Sequence, residues 1–338
     1  MKGIKIPVFL IMAAFALSCS TPVYDTVVTV NGEVRADKLG ATLAHEHVLV
    51  DFIGAEQADP VRHNRDSAFA IILPHIEKVR DHGIKTFVDC TPRFLGRDPL
   101  LLKMLADATE MHFITNTGFY GAGNNKYIPE HVLNMPADAI AAFWIAEFKQ
   151  GIDGTGIRPG FIKIAVEGET LSDFHKTLVK AAALAHKATG LPIMSHTGKA
   201  ALAEEQIEIL ESEGVKAEAF IWTHAHLEKD MTKHVEIAKR GAWVSLDGFR
   251  GKPEETAELT EMVLNMKINN CAVKLLLSQD AGWYDPEIPD GSNYEEHTLI
   301  FDYLIPELNA AGITDADLNR FLNKNPGKAF TVKTRLKE

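Results

Sequence analysis

Short apolar runs alternate along most of the chain with longer stretches of helical period. The apolar runs cover residues 41–47, 86–90, 113–117, 161–166, 192–196, 220–224, 243–246 and 273–280. Several are apolar throughout until a polar residue closes them, as expected of parallel strands covered on both faces. Between them, residues 67–82, 99–111, 138–150, 172–189, 200–213, 230–240 and 255–269 carry amphipathic helical spacing. Gly83, Gly190, Gly214 and Gly241 follow four of these stretches, where a left-handed residue suits the end of a helix. Eight strands that alternate with helices predict an α/β fold, a (β/α)8 barrel with right-handed crossovers. Two further helical stretches, 294–311 and 315–324, follow the eighth strand. Ahead of the first, residues 27–34 read as a small antiparallel hairpin turning at Asn31-Gly32, placed to close the barrel bottom. No internal linker rich in Pro, Gly or Ser appears, so residues 27–333 are expected to form one barrel domain.

The chain has 338 residues, 46% of them hydrophobic and 24% charged, enough to bury a large core. Its net charge of −11 argues against nucleic-acid binding, which needs a basic surface. The first nineteen residues stand apart: Lys2 and Lys5, an apolar stretch over 6–17, then Ala16-Leu17-Ser18-Cys19. This reads as a secretory signal of bacterial lipoprotein type, too short for a spanning helix, in which Cys19 becomes the lipid-bearing first residue. The expectation is an exported protein of the periplasm or cell envelope, held to the membrane by lipid alone. Cys90 and Cys271 sit in or beside apolar runs and read as small buried hydrophobes rather than a disulfide framework.

Candidate chemistry begins at His45-Glu46-His47. Residues two apart on a strand share a face, so the histidines can grip one ion while Glu46 turns away. Further candidates are expected at the ends of later strand-like runs: Lys163, His196, His224 and Asp280. Each alone has a plain structural reading, as a core histidine, a stray buried amine or a helix cap. The C-terminal ends of barrel strands are where catalytic groups converge, and one site accounts for all of them together.

These residues carry a resemblance. The segments Thr42-Leu43-Ala44-His45-Glu46-His47, Gly160-Phe161-Ile162-Lys163-Ile164-Ala165, Ser195-His196-Thr197-Gly198, Thr223-His224 and Ser278-Gln279-Asp280, with Asn325-Pro326 and Phe330, resemble the phosphotriesterase family of the amidohydrolase superfamily over residues 27–330. The resemblance implies two divalent ions, usually zinc. His45, His47 and Asp280 would hold the more buried ion, and His196 and His224 the more exposed one. Lys163, carboxylated to a carbamate, would bridge them, since an ammonium cannot sit between two cations. Manganese, cobalt or iron would also suit these ligands. A bridging hydroxide would attack the substrate while Asp280 takes the released proton. Members are often dimers, which makes a homodimer an expectation.

Two positions depart from the organophosphate-cleaving members. Acidic residues that follow the ligand histidine on strand six are replaced by Ala225-His226-Leu227, leaving His226 as the candidate relay. The histidine that follows the strand-seven aspartate is replaced by Gly248. Tyr120, ahead of the glycine-rich Gly121-Ala122-Gly123-Asn124-Asn125, is expected on the substrate wall with that loop. Arg250 is a candidate for a substrate carboxylate or phosphate, or else pairs with a nearby acid. Trp283 and Tyr284 are candidate pocket aromatics. The expected function is hydrolysis of a lactone or related carboxylic ester. Phosphotriester or phosphoester hydrolysis is the alternative within enzymes, and a non-catalytic metal- or ligand-binding lipoprotein the alternative outside them.

Overall fold

The computed structural model describes residues 24–59 and 62–338. The signal expected over 1–19, including Cys19, lies outside the described residues. Among them no helix is long and apolar enough to cross a membrane.

The hairpin pairs β1 (Thr26–Thr29) with β2 (Gly32–Arg35), Thr29 opposite Gly32. The turn therefore centres on Val30-Asn31, one residue earlier than the sequence suggests. Gly32, at φ +109°, opens the returning strand in a conformation that side chains resist.

The barrel strands follow: β3 (Thr42–Leu49), β4 (Thr86–Asp89), β5 (His112–Ile114), β6 (Asn116–Thr117), β7 (Phe161–Ala165), β8 (Ile193–His196), β9 (Phe220–Thr223), β10 (Trp243–Leu246), β11 (Leu275–Leu277) and β12 (Gly282–Tyr284). All neighbours are parallel and form two arcs, β12-β3-β4-β5 and β6-β7-β8-β9-β10-β11. The third predicted strand is thus split at Thr115. The eighth is shorter than expected: residues 272–274 form a 3-10 turn, and pairing pauses between β11 and β12. The seam is closed by the main chain, with Asp280 N donating to His45 O (3.0 Å) and His47 N to Ala281 O (2.9 Å).

The outer layer comprises α1 (Arg65–Asp81), α2 (Pro99–Thr109), α3 (Glu130–Leu133), α4 (Ala137–Gln150), α5 (Asp173–Thr189), α6 (Ala200–Ser212), α7 (Met231–Arg240) and α8 (Pro253–Ile268). Side-chain caps set several starts: Asn64 accepts from Ser67 N, Asp98 from Leu100 and Leu101 N, and Ser172 from His175 N. The stretch predicted over 294–311 is helical only from its later part, as a wide π-type turn (Ile300–Leu304) running into α9 (Ile305–Ala310). It is followed by α10 (Asp315–Asn319), a second wide turn (Arg320–Lys324) and α11 (Asn325–Ala329).

Two cores result. The larger fills the space between strands and helices. The smaller plugs the barrel interior, where Val27 from the hairpin meets Ala44, Val88, Ile114, Phe161, Met194, Ile221, Leu276 and Phe330. The hairpin therefore does seal the bottom, and Val30 N donates to Phe113 O there (2.8 Å). Cys90 and Cys271 are buried free thiols.

Candidate metal centre

Phe161 and Met194 belong to the inner plug, and two residues further along their strands Lys163 and His196 reach the open end. Lys163 lies in the middle of β7 rather than at its end. In β3 the pairing register with β4 shifts between Leu43 and Glu46. Such a bulge re-aims side chains: Ala44 belongs to the plug while His45 lines the site above it. His224 and Asp280 follow β9 and β11 in left-handed conformations, φ 58° and 57°. Non-glycine residues seldom hold that geometry unless their surroundings impose it.

All six sequence-nominated ligands converge on one cavity of about 560 Å³. His47 Nε2 and His45 Nε2 lie 3.1 Å and 3.7 Å from Asp280 Oδ1. Lys163 Nζ lies 3.3 Å from His45 Nε2. The His196 and His224 rings are 4.3 Å apart, and His224 is 4.9 Å from His45. His45, His47 and Asp280 present their ligand atoms closely enough to hold one ion.

The chemistry of this donor set fits a cation. Asp280 Oδ1 is buried without an aligned hydrogen-bond donor among the described residues, although an imidazole nitrogen stands 3.1 Å away. Burial would raise the Asp280 carboxyl, but the adjacent His45, His47 and His224 outweigh it and hold the group well below the usual carboxylate range. Burial, and then the Lys163 charge, push His45 down to about 3. Burial, His224 and Lys163 hold His196 well below its ordinary value. Neutral His45 and His196 beside an ionised carboxylate are the protonation states that metal binding needs, whereas at His224 burial is outweighed by Asp247 and Asp280, which raise it.

Two acids that the sequence reading did not assign to the site organise it. Asp247, fully buried at the end of β10, accepts from His224 N (2.9 Å) and takes His45 Nδ1 at 2.8 Å on its other oxygen. His224 Nδ1 is 3.1 Å away as well. Burial alone would raise this carboxyl, but His224 and His45 hold it far below. Asp247 thereby fixes which nitrogen of His45 faces inward. Its position at the end of an apolar run was the available signal.

Glu46 does turn away from the cavity, as alternation requires, but it is not idle. Its carboxylate accepts from Ser278 Oγ (2.6 Å), Gln279 N (2.8 Å), Ala281 N (3.0 Å) and His297 Nδ1 (2.9 Å). It clasps the segment carrying Asp280. Thr91 Oγ1, 2.7 Å from His47 Nδ1, does for that ring what Asp247 does for His45.

The remaining candidates divide. The Tyr120 hydroxyl is 3.0 Å from His196 Nδ1, at the cavity wall. The loop after it does not join the wall: Gly121 is tied to Ala165 and His175, and Asn124 N to Glu167. Trp283 lines the cavity, its ring 6.1 Å from that of His47. Tyr284 points the other way into the core, as the next residue of a strand must. Arg250 reaches the rim but is engaged, with Nε 3.0 Å from Glu295, Nη1 donating to the Gln279 carbonyl (2.9 Å), and its guanidinium 5.0 Å over Trp283. His226 lies at the rim with Nδ1 3.5 Å from Asp247, a nitrogen without an aligned hydrogen bond among the described residues. A Cβ on Gly248 would come within 2.1 Å of His226 Nε2.

Fold and rim together define a metal-dependent barrel hydrolase. The phosphotriesterase family model matches residues 25–330, and the chain belongs to that family. It is 27% identical over 299 residues to the phosphotriesterase homology protein of Escherichia coli K12, covering 87% of this chain and 99% of that one. It is 29% identical over 311 residues to the aryldialkylphosphatase of Saccharolobus solfataricus, covering 88% and 97%. The human N-acetyltaurine hydrolase is 23% identical over 350 residues, covering 91% and 98%. Among solved structures, the organophosphorus hydrolase of Deinococcus radiodurans superposes with a TM-score of 0.79 at 28% identity, covering 91% of this chain and 97% of that one.

Proposed function

We propose that the protein hydrolyses a lactone or related carboxylic ester at a pair of divalent cations, zinc being the best match to the donors. His45, His47 and Asp280 would hold one, His196 and His224 the other, and Lys163, carboxylated on Nζ, would serve both. The observation that carries this reading is the setting of Lys163. Its amine is buried, has no carboxylate within 4.0 Å among the described residues, and faces an imidazole nitrogen at 3.3 Å. A buried, unpaired ammonium is costly. Addition of carbon dioxide to the deprotonated amine, with loss of a proton, would replace the cation by a carbamate whose single negative charge is shared by two oxygens, which suits the imidazole and carboxylate donors around it to metal ions.

When bound, such cations supply Lewis acidity, activating water and polarising the scissile carbonyl or phosphoryl oxygen. The chain's own groups do the rest. Asp280 Oδ1, which has no aligned hydrogen-bond donor among the described residues, would be the acceptor for the proton released as water adds. His226, between Asp247 and the cavity mouth, is the group to pass that proton outward. Val50, Phe52, Leu95, Leu227 and Trp283 give the cavity an apolar wall suited to an alkyl or acyl chain. With Arg250 committed to Glu295, a substrate carboxylate has no unpaired guanidinium waiting for it.

The test is a panel of lactones and a chromogenic phosphotriester, assayed before chelation, after chelation and after adding zinc back. We expect chelation to abolish turnover, zinc to restore it, and lactones to exceed the phosphotriester in kcat/KM. A reversed preference would transfer the reading to phosphoester hydrolysis. Fully metal-loaded protein inert on both would leave only a binding role.

Asp247→Asn supplies a second measurement. It retains one acceptor oxygen but puts an amide N–H against His45 or His224. Metal affinity, measured by competition with a chromophoric chelator, is expected to fall roughly 10–100-fold, the usual consequence of disturbing a ligand's supporting hydrogen bond.

A further inference from the structure

The end of the barrel opposite the candidate metal centre carries a second cleft, of about 540 Å³. Trp243 opens β10 there, the turns before β9 and β11 contribute Lys216 and Lys274, and the C-terminal segment contributes Lys328, Lys333 and Arg335. Five cations thus face two carboxylates, Asp25 and Glu218, in a chain whose net charge is −11. Of these five, only Lys333 has a carboxylate of the described residues within 4.0 Å, that of Asp25.

Two of these cations are held in place. The Arg335 guanidinium donates to the carbonyls of Lys328 (3.0 Å), Lys333 (3.1 Å) and Thr331 (3.2 Å), and its backbone N–H donates to His186 Nε2 (2.9 Å). The Lys274 ammonium stands 4.6 Å from the centre of the Trp243 ring, and that indole is itself fixed by a hydrogen bond to the Glu218 carbonyl. Burial holds Lys274 below the usual lysine range; Glu218 offsets part of this, and the charges of Arg335 and Lys328 add to it. Like charges fixed side by side in a half-buried cleft raise the free energy of the empty protein, and an anion that enters removes that cost.

We propose that this cleft binds a phosphate-bearing anion, supplied either as a phospholipid headgroup or as free phosphate. A phosphate offers several charged oxygens to cations arriving from three segments, and a guanidinium held by carbonyls is a preorganised partner for it. A lone carboxylate would leave most of the positive charge unmatched. Val273 and Leu336, exposed at the same cleft, give the glycerol and acyl part of a lipid an apolar shelf. The cleft lies at the far end of the barrel from the rim, so this inference does not depend on the proposed reaction.

The test uses the full chain carrying Cys19→Ser, so that no acyl chain attaches at that position. It is mixed with vesicles of phosphatidylglycerol or of phosphatidylcholine, and separately titrated calorimetrically with inorganic phosphate. The expected result is selective sedimentation with phosphatidylglycerol, saturable phosphate binding, or both. Either should weaken at least tenfold in Lys274→Gln/Lys328→Gln and on raising salt. The circular-dichroism spectrum should be unchanged and the thermal unfolding midpoint no lower in the double variant, which reports that it is folded. Vesicle binding without phosphate binding identifies the headgroup; phosphate binding alone identifies the free ion. Absence of both overturns the proposal, as does binding that the double variant retains in full.

Discussion

Lys163→Ala is expected to lower kcat/KM for the best ester substrate by about a thousandfold or more, equivalent to roughly 4 kcal/mol of transition-state stabilisation. Metal content should fall with it, from about two ions per chain to one or fewer. The size of the effect follows from where the side chain ends. Lys163 Nζ lies beside His45 Nε2, and the cavity it lines is shared by His196, His224 and Asp280. Among the described residues no carboxylate lies within 4.0 Å of Lys163 Nζ to take over from a lost bridging group. The folded state of the metal-free protein should survive, because the substitution also removes an unpaired buried ammonium. Thermal unfolding in chelator therefore separates the two roles: a structural lysine would lower that midpoint sharply, whereas a metal-organising lysine would not. A variant that retained full metal content and full activity would sink the assignment.

The second large effect is expected at a residue that faces away from the cavity. Glu46→Ala should destabilise the protein by about 4 kcal/mol or more, read from urea unfolding with an unchanged slope. Four donors converge on this buried carboxylate, two of them backbone N–H groups flanking Asp280. A buried donor left unmade costs about 1–3 kcal/mol, and partial rehydration recovers only some of it. Asp280 keeps its left-handed backbone only while Gln279 and Ala281 are held on either side. Loss of metal should therefore accompany the loss of stability. Glu46→Gln retains one acceptor oxygen and should show roughly half the destabilisation. A change below about 1 kcal/mol for Glu46→Ala would mean that the loop is held by other contacts.

Much of this was legible in the chain because strand alternation and helix punctuation act locally. The apolar runs located the barrel strands, and the spacing of His45 and His47 placed both on one face. Legibility ended where geometry depends on partners remote in sequence. Glu46 reads as an outward residue, yet its partners lie more than 230 positions away, beyond any periodic signal. Lys163 reads as a strand-end ligand but sits mid-strand, because β7 runs on past it to Ala165. The helix predicted over 294–311 begins late because Tyr294, Glu295 and His297 are occupied: Tyr294 bonds His297, His297 supports Glu46, and Glu295 pairs with Arg250. Their apolar spacing resembles a helix, while their polar atoms serve the site. The glycine-rich loop after Tyr120 misled for a different reason. Its glycines permit a close approach to the end of β7, where a Cβ on Gly121 would sit 2.7 Å from the Ala165 carbonyl oxygen.

Finally, the two sequence departures beside the centre occupy one volume. His226 lies over the backbone of Gly248, so no side chain fits at residue 248 while that imidazole keeps its place. The order of substitution therefore matters here. Any path toward a bulky residue at 248 must first shrink or reorient residue 226, and the reverse path must first clear 248. Adding the side chain at 248 first meets the clash, whereas shrinking residue 226 first avoids it. Libraries that vary the two positions separately would therefore miss the combinations that convert one outer relay into the other, and varying them together would reach those combinations directly.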